Sequence, residues 1–206
     1  MYFLITIGDF ILEQMRLNLA KKDYQRVVIV SKKIAQKFLL EKENQDLKLR
    51  FFDLMIQHAL FENDYLSVSK YYSQIYNTEQ VKSDETVWKG VLENIILFAS
   101  LSPFDNEQSD LVQRLNLDQN LRSLPLYQQY LKCFVTNELM RWPKIQEIYG
   151  PTFHQKPCFD NSEKGVKRFS DLHKRVIEHV YFFNLEYSCY CKMLFPYQCQ
   201  EIDTTS

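Results

Sequence analysis

Four groups of residues are of types that could do chemistry. The stretch FDNEQSDLVQRL at 104–115 crowds acidic residues ahead of a short apolar run, with Asp105 and Glu107 as candidate partners for general acid–base work. His173, Glu178 and His179 carry the residue types of a metallopeptidase helix. Cys189, Cys191 and Cys199 could supply three thiolates to a zinc ion. Lys164, Lys167, Arg168, Lys174 and Arg175 could meet the phosphates of RNA.

Spacing weighs against each. Asp105 follows Pro103 and precedes Gln108 by three, an Asp-x-x-Gln variant of the capping box, and Glu107 falls in the first turn, where the helix dipole favours negative charge. Two residues apart on a helix, Asp105 and Glu107 face different ways. The cluster reads as the start of a helix. His173 and His179 are six apart, a spacing that makes neither HExxH nor HxxEH. The three cysteines lack a fourth ligand nearby and the paired knuckles of a structural zinc site, so they read as free thiols in an aromatic tail. Glu163, Asp171 and Glu178 are interleaved with the basic residues, and no stacking platform accompanies them. No Gly-rich nucleotide loop and no GxSxG elbow occurs. The expectation is therefore no catalytic residue, no cofactor, no metal and no small-molecule substrate.

Composition narrows the elements that could position anything. Only 4 of the 206 residues are Gly, while 15 Phe and 13 Tyr imply a core of large side chains. So few glycines leave little material for the phosphate loops of α/β enzymes and favour an all-helical chain. A net charge of −1 gives no global field towards nucleic acid or an anionic membrane. The opening MYFLITIGDFIL lacks a basic leader and is interrupted by Asp9 and Glu13, so it fits neither a signal peptide nor a membrane span. Five cysteines without framework spacing suit a reducing compartment, so a cytoplasmic and nuclear protein is expected.

Helical spacing recurs along the chain. Phe10, Ile11, Met15 and Leu19 open the pattern, and Val27, Val28, Val30, Ile34 and Phe38 predict a second helix. Leu47–Phe61 and Tyr65–Tyr76 predict the next two. Shifting the sequence by 41 places Phe10, Leu19, Asp23, Tyr24, Val27 and Ile34 on Phe51, Leu60, Asp64, Tyr65, Val68 and Ile75. In both copies Asp caps the second helix of a hairpin, and the Tyr after it packs in the crook. Phe10, Leu19, Tyr24, Phe51, Leu60 and Tyr65 are thus the expected repeat-packing residues. A hairpin repeat of this length signals an α-solenoid of antiparallel helical hairpins, of TPR-like type. Further helices are expected at 84–101, 106–115, 125–141 and 144–149, the last stopped by Gly150-Pro151. Residues 151–161 read as a linker. A helix capped by Ser162 follows over 162–179, with Val166, Phe169, Leu172 and Val176 inward. It is expected to continue to about Leu194, with a frayed end from Pro196, although a strand-like alternation also runs through 183–193.

The runs FILEQMRLNLAKKDYQR, SKKI, SPFDNEQSDLVQRL and ELMRW resemble the PCI-domain lid subunits of the 26S proteasome regulatory particle, specifically the non-ATPase regulatory subunit 12 family. The resemblance covers residues 9–179. It implies a non-catalytic scaffold acting in ubiquitin-dependent degradation, with other lid subunits and the ATPase base as partners. It also implies a curved array of hairpins leading into a winged helix. Residues 1–8 and 180–206 depart from the family, so the winged helix is expected to be missing and the chain to be truncated at both ends. The expected organisation is a divergent N-terminus at 1–8, a helical-repeat array at 9–150, the linker, a PCI-type helix at 162–179 and a divergent tail. The alternatives are an adaptor of another PCI complex and a metal or thiol protein built on the cysteine tail.

Overall fold

Two turns of like sequence set the architecture. At Lys21-Lys22-Asp23 and Glu62-Asn63-Asp64 the middle residue is left-handed, with φ of 60° at Lys22 and 59° at Asn63. The Asp23 backbone N–H donates to the Asn18 carbonyl at 2.9 Å, and that of Asp64 donates to the Ala59 carbonyl at 3.0 Å. Each aspartate then accepts, at 3.2 Å, the backbone N–H three residues ahead, from Arg26 and from Ser67. Every one of these positions is related by the shift of 41. The repeat is thus physical. A left-handed residue ends one helix, and a carboxylate satisfies an orphan N–H at the start of the next.

The computed structural model describes residues 2–136 and 140–194. All regular elements among them are helical: α1 (Tyr2–Ala20), α2 (Tyr24–Ser31), α3 (Gln36–Leu40), α4 (Gln45–Glu62), α5 (Tyr65–Tyr76), α6 (Glu79–Ser83), α7 (Glu85–Leu101), α8 (Asn106–Asn116), α9 (Pro125–Val135), α10 (Trp142–Phe153) and α11 (Glu163–Leu194), with short 3₁₀ turns between some of them. The fold class is all-α. No described helix is long and apolar enough to cross a membrane. The chain divides into two compact units, 1–102 and 103–206, a boundary that falls inside the expected 9–150 array.

In the first unit each helix packs on its neighbours in chain order: α1 on α2 and α4, α4 on α5, α5 on α7. That is hairpin stacking, in which an apolar stripe with no core of its own is covered by the next hairpin. Ile11, Leu12, Met15, Val27, Val30, Leu47, Leu54 and Met55 form one continuous core. From Leu92 to Leu101 every residue of α7 is buried except Glu93 and Asn94, as expected for a helix apolar on most faces. Its start is held by Asp84, which accepts from Thr86 Oγ1 at 2.7 Å and from the Thr86 and Val87 backbone N–H groups. The bond from the Thr86 hydroxyl, then those from the backbone, hold the Asp84 carboxyl below its ordinary range. A depressed carboxyl adds stability above its unfolded pKa of about 4, and that contribution is lost as pH falls through the lower folded value. Replacing Asp84 by Asn is therefore expected to flatten the acid limb of a melting-temperature profile between about pH 2 and 5.

Several expectations need correction. Phe10 is 64% exposed, because the α1 stripe runs through Ile11, Leu12 and Met15 and leaves position 10 to one side. Its shifted counterpart Phe51 is partly buried, so the two copies differ there. The second helix breaks: α2 ends at Ser31, whose hydroxyl bonds back to the Val28 carbonyl at 2.9 Å, and α3 begins only at Gln36. Helix α9 ends at Val135, where the extended Thr136 returns its Oγ1 to the Lys132 carbonyl at 2.7 Å. Trp142 and Pro143 then open α10 instead of ending α9, since proline suits a first turn. Leu139, within the expected 125–141 helix, lies outside the described residues.

The expected stop at Gly150-Pro151 is another. Helix α10 carries Pro151 inside it and ends at Phe153. Phe153 is 1% exposed and meets the rings of Tyr127, Tyr130, Tyr149 and Phe159 at centroid distances of 4.9–6.2 Å. Burying such a ring is worth about 3–5 kcal/mol by its truncation cost, whereas Pro so near a helix end removes little more than one hydrogen bond. The ring wins. Cys158 and Phe159 are buried too, so 151–161 is not an exposed tether. Within the second unit α8 packs on α9, and α10 and the 157–159 turn pack on α11. Val166, expected inward, is 62% exposed, while Leu172 and Val176 are buried.

Candidate interaction surfaces

The residues with chemical potential are spread apart. Asp105 accepts the Asn106 backbone N–H at 2.8 Å, and its own carbonyl receives the Ser109 N–H at 2.9 Å. Gln108 is buried under α8, Glu107 lies in the first turn, and Asp110 is paired with Arg114 at 2.8 Å. At the head of α11, Ser162 Oγ accepts the Gly165 backbone N–H at 3.1 Å. His173 stacks on Trp142 at 4.4 Å, and Glu178 takes Arg175 Nη1 at 2.6 Å. His179 lies edge-on to Phe134 at 5.8 Å, and burial pushes its pKa down against a hydrogen bond to the Thr136 backbone. Among the described residues no three metal-ligating side chains converge.

The thiols and the basic cluster are occupied in other ways. Burial pushes the Cys158 thiol up to about 12, opposed by Arg168. A thiol held there is a poor nucleophile. Cys133 donates to the Gln129 carbonyl at 3.4 Å. The backbone at 189 and 191 belongs to α11, and Cys199 lies outside the described residues. Arg168 Nη1 donates to the Cys158 carbonyl at 3.1 Å, and Lys174 pairs with Asp171 at 3.0 Å. Arg168 thus ties α11 to the 157–159 turn, while the Lys174 pair lies within α11.

Of the expected repeat-packing residues, Leu19, Tyr24, Phe51, Leu60 and Tyr65 are buried or partly buried in the first unit, and Phe10 is exposed. The Tyr24 ring stacks on Phe61 of α4 at 3.5 Å, and Tyr65 stacks on Phe98 of α7 at 6.3 Å. Each tyrosine therefore reaches the following hairpin and does not stay in the crook of its own. Leu19 packs against the core from its edge, and Leu60 is half-buried. Asp9 and Arg50, related by the same shift, form an exposed ion pair at 2.6 Å.

Two apolar stripes face outwards. Ile7, Phe10 and Leu17 lie on one side of α1, and Val166, Ile177 and Tyr181 on one side of α11. A third feature was not anticipated from sequence. A groove of about 700 Å³ runs between α2, α4 and α5 of the first unit. Val28, Ile34, Phe51, Phe52 and Met55 give it an apolar floor, and Lys32, Lys48, Lys70 and Tyr71 bring polar groups to it. Lys48 is only 8% exposed and makes no hydrogen bond or ion pair with any described residue. Desolvation, then the nearby charge of Lys82, pushes its pKa down. In sequence Lys48 looks like any surface lysine. The available signal was its register, seven residues before the buried Met55 and so on the same face of α4.

Residues 8–84 match the family described as PSMD12/CSN4, N-terminal. The chain is 51% identical over 171 residues to 26S proteasome regulatory subunit rpn501 of Schizosaccharomyces pombe, covering 82% of this chain and 39% of the relative. It is 41% identical over 171 residues to 26S proteasome regulatory subunit RPN5 of Saccharomyces cerevisiae, covering 83% and 38%. It is 34% identical over 170 residues to 26S proteasome non-ATPase regulatory subunit 12 of Dictyostelium discoideum, covering 82% and 37%. The chain thus spans about two fifths of the length of these relatives.

Proposed function

We propose, on the premise that residues 8–84 form a PSMD12/CSN4 N-terminal domain, that this chain acts as a non-catalytic scaffold of the 26S proteasome regulatory particle. The observation that carries the reading is the combination of stacked hairpins with an alignment that crosses both compact units. Identity of 51% over 82% of the chain is too high for a shared architecture alone, and the aligned relative is named as a proteasome regulatory subunit. Hairpin arrays suit such work because they offer long surfaces while needing only neighbour-to-neighbour packing. The outward stripes on α1 and α11 are the kind of surface a partner covers.

The partners in this reading are other lid subunits and the ATPase base, and the setting is the cytoplasm and nucleus. Among the described residues, Asp105 caps α8, His173 stacks on Trp142 and Cys158 is buried, which are structural roles. Affinity purification of the tagged chain, followed by mass spectrometry, tests the proposal. Lid subunits enriched above a tagged unrelated solenoid are the expected result. Chaperones recovered without lid subunits would refute it.

A further inference from the structure

The groove between α2, α4 and α5 holds Lys48, which has no counter-charge among the described residues. The Lys48 side chain lays its stem along the apolar lining, and an ammonium partly drawn from water beside that lining gains from a carboxylate brought to it. Lys48 is in that position, and Lys82 lies close enough to depress it further. Lys32 brings another ammonium group to the groove. The Phe52 and Tyr71 rings, 5.9 Å apart, line it together with Met55.

We propose that this groove binds an acidic segment of a partner protein, in which a bulky apolar side chain is flanked by carboxylates. The apolar chain covers the floor, and a carboxylate pairs with Lys48. A compact inorganic anion would answer the charge but leave the aromatic floor in water, and an uncharged apolar segment would do the reverse. Nucleic acid is disfavoured because the lysines surround one cleft and do not run as a stripe along the surface. Several carboxylates, meeting Lys32 and Lys48 with the charge of Lys82 nearby, make association fast and salt-sensitive. The proposal adds a partner chemistry to the scaffold reading, but it rests on the groove alone and is measured on the isolated chain. Its failure is therefore distinct from a failure to recover lid subunits.

The test is fluorescence anisotropy with the full chain and a fluorescein-labelled peptide that carries one Phe between pairs of Glu. Saturable binding that weakens at least tenfold with Gln in place of Glu, and at least tenfold in Lys48→Met, is the expected result. Methionine keeps the length of the lysine stem and removes the unpaired charge, so this variant should melt at or above the parent temperature. Equal binding of the Glu and Gln peptides overturns the proposal, as does unchanged binding by Lys48→Met or a variant that melts lower. Displacement of the peptide by inorganic phosphate, but not by chloride at the same ionic strength, would assign the groove to a small anion and also overturn it.

Discussion

Replacing Phe153 by Ala is expected to remove about 3–5 kcal/mol of stability and to lower the melting temperature by roughly 10 °C or more. The ring is fully enclosed and is the hub of the second unit. It touches Tyr130 edge-on at 4.9 Å, Tyr149 and Phe159 in stacked arrangements, and Tyr127 at 6.2 Å. Truncation forfeits the transfer energy of the ring and also the ring–ring terms, each about 0.5–1.5 kcal/mol. Four rigid aromatic neighbours cannot collapse into the space, which places the cost towards the upper part of the range. Ile148 lies on the same helix and is 54% exposed, so Ile148→Ala should change stability by no more than about 0.5 kcal/mol. Urea unfolding of the two variants separates these outcomes. Equal midpoints would mean that 151–161 is a free linker after all.

The second large effect reverses the sign that helix propensity predicts. Gly90 and Gly165 both sit inside helices, where Gly→Ala on propensity alone gains about 1 kcal/mol. A Cβ at Gly90 would meet no atom within 4 Å, so Gly90→Ala should stabilise by about 0.5–1 kcal/mol. A Cβ at Gly165 would lie 2.1 Å from the Asp160 carbonyl oxygen and 2.2 Å from Asp160 Oδ1. The first of those atoms is backbone and cannot swing away. The same turn is fixed by Ser162, which bonds Asp160 Oδ1 and receives the Gly165 N–H. Moving the turn would break these bonds, so Gly165→Ala is expected to destabilise by about 1–3 kcal/mol despite its better propensity. Thermal unfolding of both variants in one buffer checks the opposite signs.

The sequence displayed the repeat because the repeat is written in local chemistry. Asp23 and Asp64 precede Tyr24 and Tyr65 after a left-handed residue, and the same hydrogen bonds recur at both turns. Tyr65–Tyr76 and Asn106–Asn116 were legible for the same reason, since each opens on an aspartate and carries a clear stripe. What sequence misread depends on distant partners. Phe10 and Val166 have helical spacing, yet no neighbour among the described residues covers them. Gly150-Pro151 is a strong local stop, overridden by rings that come from 127, 130 and 159. The groove at Lys48 was invisible because its walls come from three helices and its central residue has the type of a surface residue.

Native mass spectrometry of the purified chain mixed with recombinant lid subunits tests the scaffold account most directly. The account predicts a one-to-one complex with at least one lid subunit, unaffected when Cys158, His173 or Asp105 is replaced by a residue that preserves folding. A chain that stays unbound with every subunit offered, or one whose binding depends on a thiol or an added metal ion, would contradict it.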